Sequence, residues 1–255
     1  MQNTERFSDR VANYVKYRPG YPPDLVPFLT EELRLPENAR IADIGSGTGK
    51  LTECFAERGY RVTGVEPNDE MRAAGERRLG SYPNFTSVNG TAENTTLDPA
   101  SVDWIVAGQA FHWFDARLAG REFRRILVKG GTVALVWNER GADSPFGAEY
   151  EAFLRRFTTD YQAVNHRNIG DPVFEAFFGP ERYALKTFGN GQYFDLAGLT
   201  GRYLSSSYAH TESHPAYGQA TRELRKVFDA HQHNGQVRFE YLTKLYYGRL
   251  GELGE

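Results

Sequence analysis

Between Ala39 and Asn138 the apolar positions fall into short β-branched runs that alternate with stretches of helical period. Ile41–Ile44 leads through a glycine turn into the periodic stretch Lys50–Arg58, and Arg61–Glu66 gives way to Asp69–Leu79. Phe85–Asn89 precedes a turn-rich stretch. Asp103–Ala107 is followed by helical Ala116–Leu127, and Gly130-Gly131 opens the run Thr132–Trp137. Short strands separated by such helices predict βαβ units, whose crossovers cover both faces of a parallel sheet. A strand buried on both faces reads as an unbroken apolar run, and Val133–Val136 does. The expected fold is α/β, Rossmann-like and doubly wound.

The flanks differ. Residues 1–38 are predicted helical, broken by the Tyr17–Pro23 run (YRPGYPP), with Leu25–Leu33 as a helix that Pro36 ends. Beyond Gly141 the chain becomes more helical and more aromatic, over Phe146–Tyr161 and Pro172–Phe178. A strand at Tyr183–Phe188, helical pieces at Leu196–Ser205 and Tyr217–Gln232, and a last strand at Val237–Tyr247 follow. No repeat, low-complexity tract or linker divides the chain. One domain over 1–255 is expected, with a core at 36–140 and additional elements at 1–35 and 141–235.

Composition removes several function classes. The net charge is −3, and Arg117, Arg121, Arg124 and Arg125 read as the solvated side of a helix, so neither a nucleic acid nor an anionic membrane is an expected partner. Cys54 is the sole cysteine, which excludes an intramolecular disulfide and a thiolate zinc site. It reads as a small buried hydrophobe. His231 and His233 stand two apart on a predicted helix and point in different directions, so no metal is expected. The polar N-terminus MQNTERFSDR is not a secretory signal, and no apolar run is long enough to span a bilayer; the expected compartment is cytoplasmic. No G-x-S-x-G elbow is present.

The chemistry lies in Ala42-Asp43-Ile44-Gly45-Ser46-Gly47-Thr48-Gly49-Lys50, which follows an apolar strand and opens a helix. Its glycines let the backbone turn sharply and approach a ligand closely. Glu66 ends the next strand, where a carboxylate can accept hydrogen bonds from ribose hydroxyls. A nicotinamide dehydrogenase and a methyltransferase both use this geometry. The dinucleotide fingerprint is G-x-G-x-x-G, however, whereas this loop reads G-x-G-x-G with Lys50 where the last glycine would stand. Asp43 would repel a pyrophosphate but can receive the ammonium of an amino-acid-bearing nucleoside. S-adenosylmethionine has that ammonium, a sulfonium and no phosphate, and the charge balance favours it.

The D-I-G-S-G-T-G loop, V-E-P-N after the second strand, G-T-A-E at Gly90–Glu93 and the GGTVALV strand together resemble class I S-adenosylmethionine-dependent methyltransferases. Gln109-Ala110-Phe111-His112-Trp113-Phe114 resembles the Q-A-x-H-W-F signature of the small-molecule group (methyltransferase type 11, trans-aconitate-methyltransferase-like). The resemblance covers about residues 6–140 and, beyond them, only a closing pair of strands. It implies a seven-stranded, mostly parallel sheet whose antiparallel last strand slots between two others. It further implies that Asp43, Gly45, Ser46, Gly47 and Gly49 border the methionine portion and that Glu66 holds the ribose. Pro67, Asn68 and Met71 would border the adenosine, Thr91, Ala92 and Glu93 would frame the adenine, and Gln109 would sit beside the reacting centre. The product would be S-adenosyl-L-homocysteine.

Methyl transfer from a sulfonium is an in-line displacement, so the protein's main task is to position the acceptor and exclude water. A base is needed only if the acceptor must lose a proton. His112 is the candidate base, and a structural histidine is the alternative. Trp113 and Phe114 would face the sulfonium or belong to the core. Tyr14, Tyr17, Arg18 and Tyr21 suggest a lid that brings aromatics and a guanidinium over the site. Tyr203, Ser205–Ser207 and Tyr208 are candidates for the acceptor pocket. The expectation is a monomeric or weakly dimeric methyltransferase acting on a small molecule, Arg18 and the resemblance pointing to a carboxylic acid. A non-catalytic nucleoside-binding protein and a nicotinamide oxidoreductase stand as alternatives.

Overall fold

The computed structural model describes residues 11–158, 171–180, 182–206 and 208–251. Seven strands form one sheet: β1 (Arg40–Ile44), β2 (Arg61–Val65), β3 (Phe85–Val88), β4 (Val102–Gly108), β5 (Leu127–Arg140), β6 (Tyr183–Phe194) and β7 (Val237–Gly248). Their order is β3-β2-β1-β4-β5-β7-β6. β1 to β5 pair in parallel, while β7 runs antiparallel to both β5 and β6. The mostly parallel sheet with an inserted antiparallel last strand is therefore as the resemblance implies. The order reverses between β1 and β4, the switch point at which open α/β sheets bind ligands outside the carboxyl ends of their strands.

Helices α3 (Lys50–Ala56), α4 (Asp69–Leu79) and α5 (Ala116–Ile126) connect the parallel strands. One core packs Phe123, Ile126, Phe174 and Phe177 under one face of the sheet, and another packs Leu25, Leu29, Leu51 and Phe55 on the opposite face. Asn68 and Asp115 start α4 and α5 by accepting backbone N–H groups, which satisfies donors that a helix start otherwise leaves open. A third cluster joins α6 (Pro145–Phe157), α8 (Leu196–Leu204) and α9 (Tyr217–His231) to Val237, Phe239 and Tyr241 of β7. α1 (Val11–Tyr17), α2 (Leu25–Glu31) and α7 (Asp171–Phe178) complete the described helices.

Two elements depart from the sequence pattern. β6 continues through Gly189-Asn190-Gly191 to Phe194, beyond the expected strand Tyr183–Phe188. Continuous pairing with β7, from Tyr183↔Gly248 to Phe194↔Val237, supplies the backbone bonds that local propensity does not. β5 begins at Leu127, directly after α5, with a register shift between Val102↔Leu127 and Trp104↔Thr132.

The segment after α1 is fastened to the sheet by a polar ladder that runs from an exposed carbonyl to a buried rung. Asn138 Nδ2 and Asn190 Nδ2 both donate to the Gly20 carbonyl at 3.0 Å. Thr243 Oγ1, whose residue is the register partner of Asn138, donates to Asn138 Oδ1 at 2.5 Å. Next to it the Tyr17 ring lies against the Cα of Gly201 in α8, so closely that any Cβ there would collide with it. Gly201→Ala is therefore expected to push α1 off α8 and to cost about 1–3 kcal/mol as an overpacked contact. A lowered denaturant midpoint, with faster amide exchange across Val11–Tyr17, would register it.

Candidate active site

The loop between β1 and α3 turns on three left-handed glycines, Gly45 (φ 68°), Gly47 (φ 55°) and Gly49 (φ 78°). Two of them also permit close approach. A Cβ on Gly45 would lie 2.7 Å from Ala110 Cβ, and one on Gly49 would lie 2.6 Å from Leu79 Cδ1. The loop is thus wedged between the segment after β4 and helix α4. Gly45 N and Ser46 N donate to the Val65 carbonyl at 2.8 and 3.2 Å, which ties the loop to the end of β2.

Glu66 clasps the same junction. Its Oε2 accepts from Gly47 N and its Oε1 from Asn68 N, both at 2.9 Å. Burial raises its carboxyl above the usual range, against the pull of those two backbone donors. Asn68 Oδ1 accepts from Met71 N at 2.9 Å, and the Met71 side chain backs Gly47. Pro67 is half-buried between them.

Asp43 is 1% exposed at the end of β1. Its Oδ2 accepts from Thr52 Oγ1 at 2.6 Å, and its Oδ1 has no hydrogen-bond partner among the described residues. Burial pushes its pKa up to about 7; the Thr52 hydroxyl opposes this and the charge of Glu66 adds to it. Thr48 Oγ1 is enclosed and unpartnered in the same sense. Thr52, Thr48 and this orphaned oxygen were not legible in the sequence.

The other predicted positions border the same edge. Thr91 forms a reciprocal turn with Asn94, Ala92 is buried, and Glu93 Oε1 accepts from Asp115 N at 2.9 Å. Gln109 follows β4 in a left-handed conformation rare for its type (φ 57°), its N donating to Val136 O and its Nε2 to Asn138 O. His112 lies in the short turn Phe111–Trp113. Burial, then the charge of Arg18, lower its pKa to about 4. Trp137 Nε1 donates to its Nδ1 at 3.5 Å, and the Trp113 ring stands 4.7 Å from the imidazole. Phe114 packs edge-on against Phe111 and Phe123, in the core beneath Gly45.

Of the lid candidates, Tyr21 lies with its hydroxyl over the Cα of Gly108, and Arg18 Nη2 donates to the Ser205 carbonyl at 3.2 Å. Tyr14 belongs to α1, but its side chain lies outside the described residues, as does Ser207. Tyr203 lies away from these residues. It is fully enclosed in the helical layer, its hydroxyl donating to Phe157 O and accepting from His210 N. Its neighbour Arg202, also buried, takes the polar position instead. Cys54 is partly buried and its thiol is pushed up to about 11, first by burial, in keeping with an inert side chain. No helix among the described residues is long and apolar enough to cross a membrane.

Residues 42–135 match the model of a family described as a methyltransferase domain. An uncharacterized methyltransferase of Mycobacterium tuberculosis is 42% identical over 135 residues, covering 52% of this chain and 52% of its own. The chain thus spans about half the length of that curated relative. An uncharacterized methyltransferase of Schizosaccharomyces pombe is 28% identical over 249 residues, covering 94% and 95% of the two chains. Among solved structures, a protein of Anaeromyxobacter dehalogenans described as a candidate type II methyltransferase superposes with a TM-score of 0.63 at 21% identity, over 92% of this chain and 100% of that one. The YcgJ protein of Bacillus subtilis gives 0.57 at 19% identity, over 89% and 98%. At these identities the structural likeness establishes the fold.

Proposed function

We propose, from the match of residues 42–135 to a methyltransferase-domain family, that this protein is an S-adenosylmethionine-dependent methyltransferase that methylates a small-molecule acceptor and releases S-adenosylhomocysteine. The observation that carries this reading is the buried, unpartnered Oδ1 of Asp43 beside a glycine loop. An enclosed acceptor without a donor is costly, and the ammonium of the cofactor's amino-acid end is the group that would satisfy it. A pyrophosphate in its place would meet Asp43 and Glu66 as like charges.

In this assignment Asp43, Gly45, Ser46, Gly47 and Gly49 receive the methionine portion. Glu66 receives the ribose hydroxyls on the lone pairs that Gly47 N and Asn68 N leave open. Pro67, Asn68 and Met71 line the adenosine, and Thr91, Ala92 and Glu93 flank the adenine. When bound, the cofactor supplies an electrophilic methyl group. The chain's own task is to hold the acceptor atom about 3 to 3.5 Å from that carbon and to exclude water. Gln109, His112, Trp113, Tyr17, Arg18 and Tyr21 surround the place where this would happen. An imidazole that titrates near 4 is neutral at physiological pH and a weak base. With Trp137 donating to Nδ1, its proton resides on Nε2, so His112 is assigned to orient the acceptor as a donor. An acceptor carboxylate, which Arg18 favours, attacks without losing a proton. We assign no nucleic acid or second chain to the reaction.

Calorimetry tests the cofactor: S-adenosylhomocysteine is expected to bind at micromolar concentration and NAD not at all. Screening small carboxylic acids for S-adenosylhomocysteine release then tests turnover. Cofactor binding with no turnover on any acceptor would favour a non-catalytic nucleoside-binding protein.

A further inference from the structure

Beside the carboxyl end of β5 the helical layer holds a buried guanidinium that pairs with no acid among the described residues. Arg202 is 5% exposed. Its Nε donates to Tyr241 Oη at 3.1 Å and its Nη1 to Ser206 Oγ at 3.2 Å and Ser205 Oγ at 3.5 Å. The guanidinium carbon stands 5.4 Å from the centroid of the Phe239 ring. Among the described residues Nη2 has no acceptor, and no carboxylate pairs with this side chain. A cation taken out of water is normally compensated by an anion, and its hydroxyl and aromatic partners carry no full charge.

The surroundings point the same way. Arg140 faces Tyr241 across the β5–β7 register and is held by Glu151, while Arg18 reaches over to the Ser205 carbonyl. Burial alone would raise the Tyr208 phenol, yet Arg140, Arg202 and Arg18 together draw it below its ordinary value, which marks a positive field inside the layer. Arg18 also acts on His112, so the field extends to the turn that follows β4. The Phe239 ring, which the guanidinium faces, itself packs against Tyr150 and Tyr241.

We propose that Arg202 binds a carboxylate of the methyl acceptor through Nη2, anchoring an acidic substrate beneath α8. This deepens the methyltransferase reading and rests on it. With Nε and Nη1 already engaged, one end of the guanidinium remains, which suits a planar carboxylate better than a phosphate needing donors around a tetrahedron. Arg202 is in this sense a specificity residue, remote from the cofactor contacts assigned to Asp43 and Glu66.

Succinate, citrate and benzoate serve as probes, added to the full chain saturated with S-adenosylhomocysteine, with sodium chloride and inorganic phosphate as matched controls. At least one carboxylate is expected to bind at millimolar concentration or better, measured by calorimetry and by thermal shift, while the controls give no shift. Arg202→Met is expected to weaken that carboxylate at least tenfold and to leave the S-adenosylhomocysteine Kd within twofold. Should that variant not fold, Arg202→Lys, which keeps the charge but not the reach, is expected to give the same tenfold loss. Unchanged carboxylate affinity in a folded Arg202 variant overturns the proposal. So does the absence of any binding carboxylate, or an equal response to phosphate and chloride. Failure of S-adenosylhomocysteine itself to bind would strike the methyltransferase reading instead, and the carboxylate arm, repeated without it, would still decide the role of Arg202.

Discussion

Replacing Asp43 with alanine or asparagine is expected to reduce S-adenosylhomocysteine affinity by at least about a hundredfold, the scale of losing a charge-assisted bond in a buried site. The ligand-free protein should stay folded and become more stable at pH 8. The reason is the mismatch between the carboxyl in the unfolded chain, near 3.8, and in the folded one, near 7. Between those values the folded state retains a proton that the unfolded state releases. Stability therefore falls as pH rises through that window, and the deficit of a few kcal/mol is fully present above it. Asparagine cannot ionise, so its melting temperature should lose this part of the pH dependence. The same carboxyl makes binding pH-dependent. An ammonium at Oδ1 requires the ionised form, so wild-type affinity should decline below about pH 7 and the variant's residual affinity should not. Wild-type affinity in Asp43→Asn would refute the placement of the ligand.

Glu66→Ala is the second large effect, and its stability term has the opposite sign. It too should abolish S-adenosylhomocysteine binding. Here, however, the loss strips acceptors from Gly47 N and Asn68 N, two donors that hold the glycine loop to the β2–α4 junction. Leaving such partly buried donors unmade costs about 1 kcal/mol or more, so the ligand-free variant should melt earlier than wild type. Glu66→Gln keeps one carbonyl oxygen and turns an NH2 towards the other donor, which should restore only part of the stability. Denaturant midpoints and calorimetry on the same preparations separate the two contributions. Retained binding in Glu66→Ala would mean that this carboxylate serves the loop alone.

The parallel half of the sheet was legible because its rules are local. An apolar run and a glycine turn each announce themselves over a few residues. Two features set by tertiary packing were not legible. Arg202 and Tyr203 are adjacent on one short helix and both are buried, and only their distant packing partners, Phe239 and Phe153, account for that. The orphaned oxygen of Asp43 likewise depends on Thr52, nine positions along the chain, meeting one face of the carboxylate and leaving the other bare. The expected strand Tyr183–Phe188 fell short of Phe194 because the partner that holds Gly189–Phe194 extended, β7, comes some fifty residues later.

That last strand has a consequence for assembly. β5 and β6 share no ladder of their own, and each is bonded to β7. Neither the outer third of the sheet nor the Asn138–Thr243 rung that fastens the Gly20 segment can form before residues 237–248 arrive. The parallel layers can condense early from neighbouring βαβ pieces, whereas the outer end of the sheet and the helices packed on it close last, on the strand pairing of greatest sequence separation.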